Sequence, residues 1–238
     1  MTPTNAPIKI AIIETGAPAP TLEHHGRLGD WFIRLLEGPL SPVSFSIYRA
    51  YADELPDRVD AYDGYVVTGS PASVNAPDPW IGVLATFLTG AAKTLPVVGV
   101  CFGHQLLHKA LGGRVDKMEG GWGVGVHSYD TLQPIDGLPT SGESLSFLAC
   151  HSEHVTQPAA GTEILAASDF CPIAMSRIGP TILTVQAHPE MTKALGRDLY
   201  ELRREQIGAD KVATAVASFA KATDSDVFAR IVARHFGR

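Results

Sequence analysis

Apolar residues recur along this chain in two alternating rhythms. Ile8 to Ile13 is a short run rich in β-branched residues and reads as a strand. From Arg27 to Leu36, Leu28, Trp31, Phe32 and Leu35 recur at helical spacing, and Gly38-Pro39 is expected to stop that helix. Val43 to Ala50 alternates as a second strand. Gly64 to Thr68 is a third, closed by Gly69. Trp80 to Ala92 reads as a helix with Ile81, Leu84, Ala85 and Leu88 on one side, and Leu95 to Val100 is a fourth strand, apolar throughout.

Continuous apolar strands between helices predict a parallel sheet covered on both faces. Residues 113 to 190 read differently. Strand-like stretches at Gly123–His127, Ser144–Ala149, Glu163–Ala167 and Thr181–Gln186 are separated by turn residues, with few good helices. Thr192 to Arg238 returns to the helical period. No repeat, low-complexity segment or linker interrupts the chain. The expectation is an α/β domain spanning residues 1–238, with a core at roughly 8–192 and a helical C-terminal extension at 193–238 that covers it. Its sheet starts parallel and acquires antiparallel strands later.

Composition narrows the function classes. The 238 residues are 45% hydrophobic, enough for a sizeable core and too apolar for disorder. Lys+Arg 19 against Asp+Glu 25 gives a net charge of −6, which argues against nucleic-acid binding through bulk charge. No apolar run reaches the roughly 18 residues of a membrane helix. The opening MTPTNAPIKI lacks the basic and long apolar regions of a secretory leader. Three cysteines, Cys101, Cys150 and Cys171, make no disulfide framework, so a reducing cytoplasm is expected. Among three thiols, the useful question is which one is a nucleophile.

Gly99-Val100-Cys101-Phe102-Gly103-His104-Gln105 answers it most directly. An apolar strand runs straight into Cys101, and a helical pattern through Leu106, Leu107, Ala110 and Leu111 follows until Gly112-Gly113. Glycines flank the cysteine where side chains would clash in so tight a turn. Helix N-terminal N–H groups and the helix dipole favour a thiolate there, and the same N–H groups can hold an oxyanion. Among nine histidines, His188 stands out in Thr184-Val185-Gln186-Ala187-His188-Pro189-Glu190. In extended backbone His188 and Glu190 share a face, so Glu190 could orient the imidazole. Thr68-Gly69-Ser70-Pro71 follows the third strand and could add a second backbone donor through Gly69, beside that of Phe102. The histidines and cysteines show no compact ligand spacing. Cys150, His151 and His154 are close, but no second pair completes a zinc set, so no metal and no cofactor are expected.

Together these three segments resemble the class I (triad) glutamine amidotransferase family, and among relatives the stand-alone GMP-synthase-like or γ-glutamyl-peptidase-like members. The resemblance covers roughly residues 8 to 192. It implies a flavodoxin-like fold with a central, mostly parallel sheet flanked by helices and some antiparallel strands. It also implies that Cys101 attacks the amide carbon of glutamine or another γ-glutamyl compound. His188 would act as base and then acid, Glu190 would orient it, and Gly69 and Phe102 would form the oxyanion hole. A thioester would follow, and water would release glutamate. Gln105 and His151 fall at positions implied to contact substrate. Cys150 and Glu153 depart from the family's pattern beside His151, and Gly120-Gly121-Trp122-Gly123 stands where relatives often carry an Arg-Glu loop.

Only 48 residues follow Glu190, with no Gly-rich phosphate loop, so a synthase acceptor would have to be a separate subunit. The alternatives are a γ-glutamyl hydrolase with no ammonia acceptor, a non-catalytic binding module, and an α/β-hydrolase using Asp169. The hydrolase order places the acid before the histidine, and Glu190 fits the amidotransferase order better.

Overall fold

The apolar run at the start of the chain becomes β1 (Ile8–Glu14), the first strand of a large sheet in a computed structural model. The structure describes residues 6–135 and 144–238. Residues 1–5, which open the stretch read for a leader, and 136–143, within the strand-rich middle, lie outside the described residues. After β1 come α1 (Leu28–Leu40), β2 (Val43–Arg49), β3 (Gly64–Val67), α2 (Pro79–Ala91), β4 (Val97–Val100) and α3 (Phe102–Ala110). All seven match runs that the periodicity marks. Helix α1 differs in one respect: it continues through Gly38 and Pro39 to Leu40. Leu36 and Leu40 are fully buried, and their packing outweighs the one backbone donor that Pro39 lacks in the last turn.

The middle supplies β5 (Arg114–Lys117), β6 (Gly123–Thr131), β7 (Ser144–His151), β8 (Glu153–Gln157), β9 (Thr162–Ala167), β10 (Met175–Ile178) and β11 (Ile182–Val185). Helices α4 (Lys193–Leu202), α5 (Arg204–Ile207), α6 (Ala209–Ala217) and α7 (Ser225–His235) complete the chain. Among the described residues, nine strands form one sheet in the order β2-β1-β3-β4-β11-β10-β9-β6-β7, and β5 pairs with β8 in a separate ribbon. The pairs from β2 to β11 are parallel. Those from β11 to β7 are antiparallel. The antiparallel part is thus as extensive as the parallel part.

Strand alternation explains the two-sided core. Ile10, Ile12, Val66 and Val98 face α1 and α7, through Phe32, Leu36, Phe228 and Val232. Their neighbours Ala11, Ile13, Tyr65, Val67 and Val97 face α2 and α3, through Leu84, Leu88, Leu106 and Leu107. A third cluster packs Leu195, Tyr200, Val212 and Phe219 of the C-terminal region against Val124, Val126 and Leu148 of β6 and β7. The C-terminal helices therefore cover both halves of the sheet, and α7 is part of the main core. This frame places the carboxyl ends of β3, β4 and β11 side by side at the middle of the sheet, where α/β proteins open a ligand crevice.

Candidate active site

Cys101 stands between β4 and α3 with φ 50° and ψ −98°. A residue with a Cβ rarely adopts that conformation, and it costs on the order of 1–3 kcal/mol. The surroundings hold it there. Its N–H donates to the Val185 carbonyl at 2.9 Å, and its carbonyl accepts from the Gln105 N–H at 3.0 Å. The steric reading of the flanking glycines is right. A Cβ on Gly99 would come within 2.7 Å of the Gly103 backbone, and one on Gly103 within 2.7 Å of the Val67 carbonyl oxygen. The chain is too close to itself at both positions for any side chain.

His188 arrives by a different route from the one expected. Strand β11 ends at Val185, and His188 makes an isolated antiparallel bridge to Leu148. Its N–H donates to the Leu148 carbonyl at 2.8 Å, and its own carbonyl accepts from Met191 N–H at 3.2 Å. The backbone therefore turns after His188, and Glu190 reaches the ring through that turn instead of along an extended strand. Glu190 Oε1 lies 2.7 Å from His188 Nδ1, with both residues buried. An ionised carboxylate only accepts, so Nδ1 carries the proton and Nε2 is free for a partner. Burial alone would lower the His188 pKa. The charge of Glu190, the charge of Cys101 and hydrogen bonds with both outweigh it and hold the imidazole well above its usual value.

Gly69 lies against both groups. A Cβ built on it would stand 2.8 Å from His188 Cε1 and 3.6 Å from Cys101 Cβ. The peptide that carries its N–H is fixed from behind: the Thr68 carbonyl accepts from Thr15 Oγ1 at 3.1 Å and from Gly103 N–H at 3.3 Å. In a trans peptide the N–H points the other way, away from Thr15 and Gly103. Phe102 is the first residue of α3, so its N–H has no intrahelical acceptor. Its ring stacks on Trp80 with centroids 5.4 Å apart.

A cavity of about 740 Å³ opens over Cys101, Gly69 and His188. Gln105 and His151 both line it, but neither is the exposed polar residue that a surface position would give. Gln105 Nε2 donates to the Glu153 carbonyl at 2.8 Å and to Gln186 Oε1 at 3.0 Å, so its amide is tied into the wall. His151 faces the Glu153 carbonyl through Nδ1 at 3.3 Å, and burial, with His154 beside it, keeps its pKa well below normal. Its Nε2 is buried with no hydrogen-bond partner among the described residues.

The other two thiols separate clearly. Burial raises the pKa of Cys150, whose sulfur sits 3.6 Å from Arg203 Nη1 at the cavity wall. Burial pushes Cys171 up to about 12, inside the main core. Two features escaped sequence reasoning. Arg203 lies 5.2 Å over the Trp122 ring, so the glycine-rich 120–123 loop supplies an aromatic cavity wall. His24, His25 and Asp198 also converge, from positions 173 and 174 residues apart. Adjacent histidines were the only local signal.

The family model for glutamine amidotransferase class I matches residues 40–203. The chain is 30% identical over 191 residues to γ-glutamyl peptidase 5 of Arabidopsis thaliana, covering 75% of this chain and 73% of that protein. It is 34% identical over 142 residues to a glutamine-hydrolysing GMP synthase of Pyrobaculum aerophilum, covering 57% of this chain and 26% of that longer protein. Two further Arabidopsis γ-glutamyl peptidases are matched over 64% and 63% of their length, so the chain spans about two thirds of these relatives. Among solved structures, a glutamine amidotransferase of Thermotoga maritima superposes with TM-score 0.76 over 98% of this chain and 100% of that one, at 15% identity. One from Methylobacillus flagellatus gives 0.72 over 97% and 94%, at 21% identity. Those two likenesses speak for the fold.

Proposed function

Since the chain belongs to the class I glutamine amidotransferase family, we propose that it cleaves γ-glutamyl amide bonds through a thioester on Cys101. The observation that carries this reading is the meeting of three strand ends around Gly69: a Cβ built there would stand 2.8 Å from His188 Cε1 and 3.6 Å from Cys101 Cβ, and Glu190 Oε1 lies 2.7 Å from His188 Nδ1. This arrangement supports the roles of nucleophile, base and orienting carboxylate for Cys101, His188 and Glu190.

The chemistry follows from these positions. Cys101 sulfur attacks the side-chain amide carbon, and its proton resides on His188. The carbonyl oxygen becomes an oxyanion that takes hydrogen bonds from the N–H groups of Gly69 and Phe102. His188 then gives its proton to the leaving nitrogen, and ammonia or an amine departs. Water, deprotonated by His188, attacks the thioester, and glutamate leaves as the thiol reforms. Glu190 stabilises the imidazolium in both halves. Gln105 and His151 contribute to the wall that receives the amino-acid end of the substrate. A free thiol at Cys101 suits a reducing, cytoplasmic setting.

The similarity to a GMP synthase, of which this chain matches 26%, favours a second destination for the nitrogen: a separate synthase subunit that accepts ammonia. The test covers both readings. Purified protein is incubated with glutamine and with several γ-glutamyl dipeptides, and glutamate is measured with and without candidate synthase subunits. Release that disappears in Cys101→Ser supports the proposal. Absence of cleavage of every γ-glutamyl compound overturns it and favours a binding module on the same fold.

A further inference from the structure

We propose that His24, His25 and Asp198 form a binding site for a divalent late transition metal of the zinc, cobalt or nickel class, on the outer wall of the cleft. His24 and His25 end the 3-10 turn Pro20–His25, and Asp198 lies on α4. His24 Nε2 is 3.2 Å and His25 Nε2 2.8 Å from the same oxygen, Asp198 Oδ2. The three ligand atoms all lie within 4.8 Å of one another.

Chance does not readily produce this geometry. Successive residues of a 3-10 turn project about 120° apart. Here the two rings are nevertheless 4.0 Å apart and aim at one atom. The His25 backbone is held in place, since its carbonyl accepts from Trp31 Nε1 at 2.9 Å and Arg34 Nη2 at 3.2 Å. Two ligand atoms about 2.0–2.1 Å from a tetrahedral ion stand roughly 3.3 Å apart. The observed nitrogen–oxygen distances need only small adjustments to admit an ion. Two imidazoles and one carboxylate suit zinc, cobalt or nickel better than calcium or magnesium, which prefer oxygen donors.

Charge agrees with this. The Asp198 carboxylate offers a divalent cation a ligand of opposite charge. Arg197, next in the chain to Asp198, is occupied over the Phe219 ring at 5.8 Å and does not fill the position. Metal binding needs each Nε2 lone pair, so the ring proton shifts to Nδ1, and any histidine protonated beforehand releases one proton. The His24 and Asp198 side chains are 61% and 41% exposed, which leaves the ion an entry path and room for water as a further ligand. The turn also carries Leu22 into the cleft, and α4 carries Leu199 into it. A bound ion would tie those two walls together.

The test is calorimetric titration of Zn²⁺ into the full, tag-free chain in a Cys101→Ser, Cys150→Ser background, so that neither cleft thiol can bind the metal. We expect one ion per chain. Asp198→Asn, His24→Gln and His25→Gln should each weaken binding roughly ten-fold or more, with circular dichroism unchanged. Co²⁺ should compete for the same site. Absence of binding, or binding of equal strength in all three variants, overturns the proposal. These outcomes are independent of whether any γ-glutamyl compound is cleaved.

Discussion

Replacing Cys101 by alanine and by glycine separates backbone strain from side-chain chemistry. Both variants remove the sulfur, but only glycine removes the Cβ that makes φ 50°, ψ −98° unfavourable. In ordinary buried backbone, Ala→Gly costs about 0.8 kcal/mol for the lost methyl burial and roughly another 0.7 kcal/mol through the freer unfolded chain. At Cys101 the relieved strain, on the order of 1–3 kcal/mol, opposes both losses. The glycine variant should therefore lie between about 0.5 kcal/mol less and about 1.5 kcal/mol more stable than the alanine variant. Ala11→Gly is the internal control, because Ala11 is fully buried in the regular strand β1, and it should lose about 1.5 kcal/mol. Urea unfolding of the four proteins, including wild type, gives the comparison. If glycine at 101 falls below alanine by as much as Ala11→Gly falls below wild type, the elbow stores no strain. Neither variant at 101 should release glutamate.

Four other outcomes follow from the same structure. Gly69→Ala places a Cβ 2.8 Å from His188 Cε1, and the displaced ring should lower kcat/KM by about 100-fold while thermal stability changes little; wild-type activity would show that the ring does not depend on that gap. Glu190→Gln removes the charge that raises the His188 pKa, so the alkaline limb of the pH–rate profile, which the proposed mechanism assigns to His188 losing the proton that the leaving nitrogen takes, should move to lower pH. His108 and His154 are held near pKa 4 by burial, below their unfolded value, so the unfolded chain binds more protons between about pH 6.5 and 4 and stability must fall on acidification. From pH 7 to pH 5 the loss is about 2 kcal/mol per histidine, and His154→Gln should remove one histidine's share of it in urea titrations at the two pH values. Tyr200→Phe strands the Ala149 carbonyl at 2.6 Å and the Gly125 N–H at 3.0 Å, which should cost about 1–3 kcal/mol in the same assay.

The parallel half of the sheet is legible in the sequence because it is buried on both faces. Runs such as Gly64–Val67 and Val97–Val100 leave no polar residue to blur the pattern. Strands β5, β8 and β10 are not legible. Arg114–Lys117 and Met175–Ile178 are four residues long and mix charge with apolar positions, so neither period can establish itself. Partners distant in the chain make them strands: β5 is paired by β8, and β10 lies between β9 and β11. Helix α1 errs in the other direction, since local stop residues yield to the burial of Leu40.

The site divides in the same way. Cys101 and its glycines are legible because their constraint is local: strand, turn and helix occupy residues 97–110, and the clashes a Cβ would make at Gly99 include Gly103, four positions on. The pairing of His188 with Glu190 is legible from their spacing, although the extended backbone invoked for it is absent. A turn fixed by the Leu148 bridge brings them together instead, because two residues of separation allow either geometry. The cavity wall and the His24–His25–Asp198 cluster are not legible, since each needs α4 or the chain just after it folded back on loops from distant parts of the sequence. Geometry carried by one turn can thus be read from residues alone. A wall that depends on which helix covers the cleft needs the packing of the C-terminal region, and in this chain that region brings Leu199, Leu202, Arg203 and Gln206 to the cavity above Cys101.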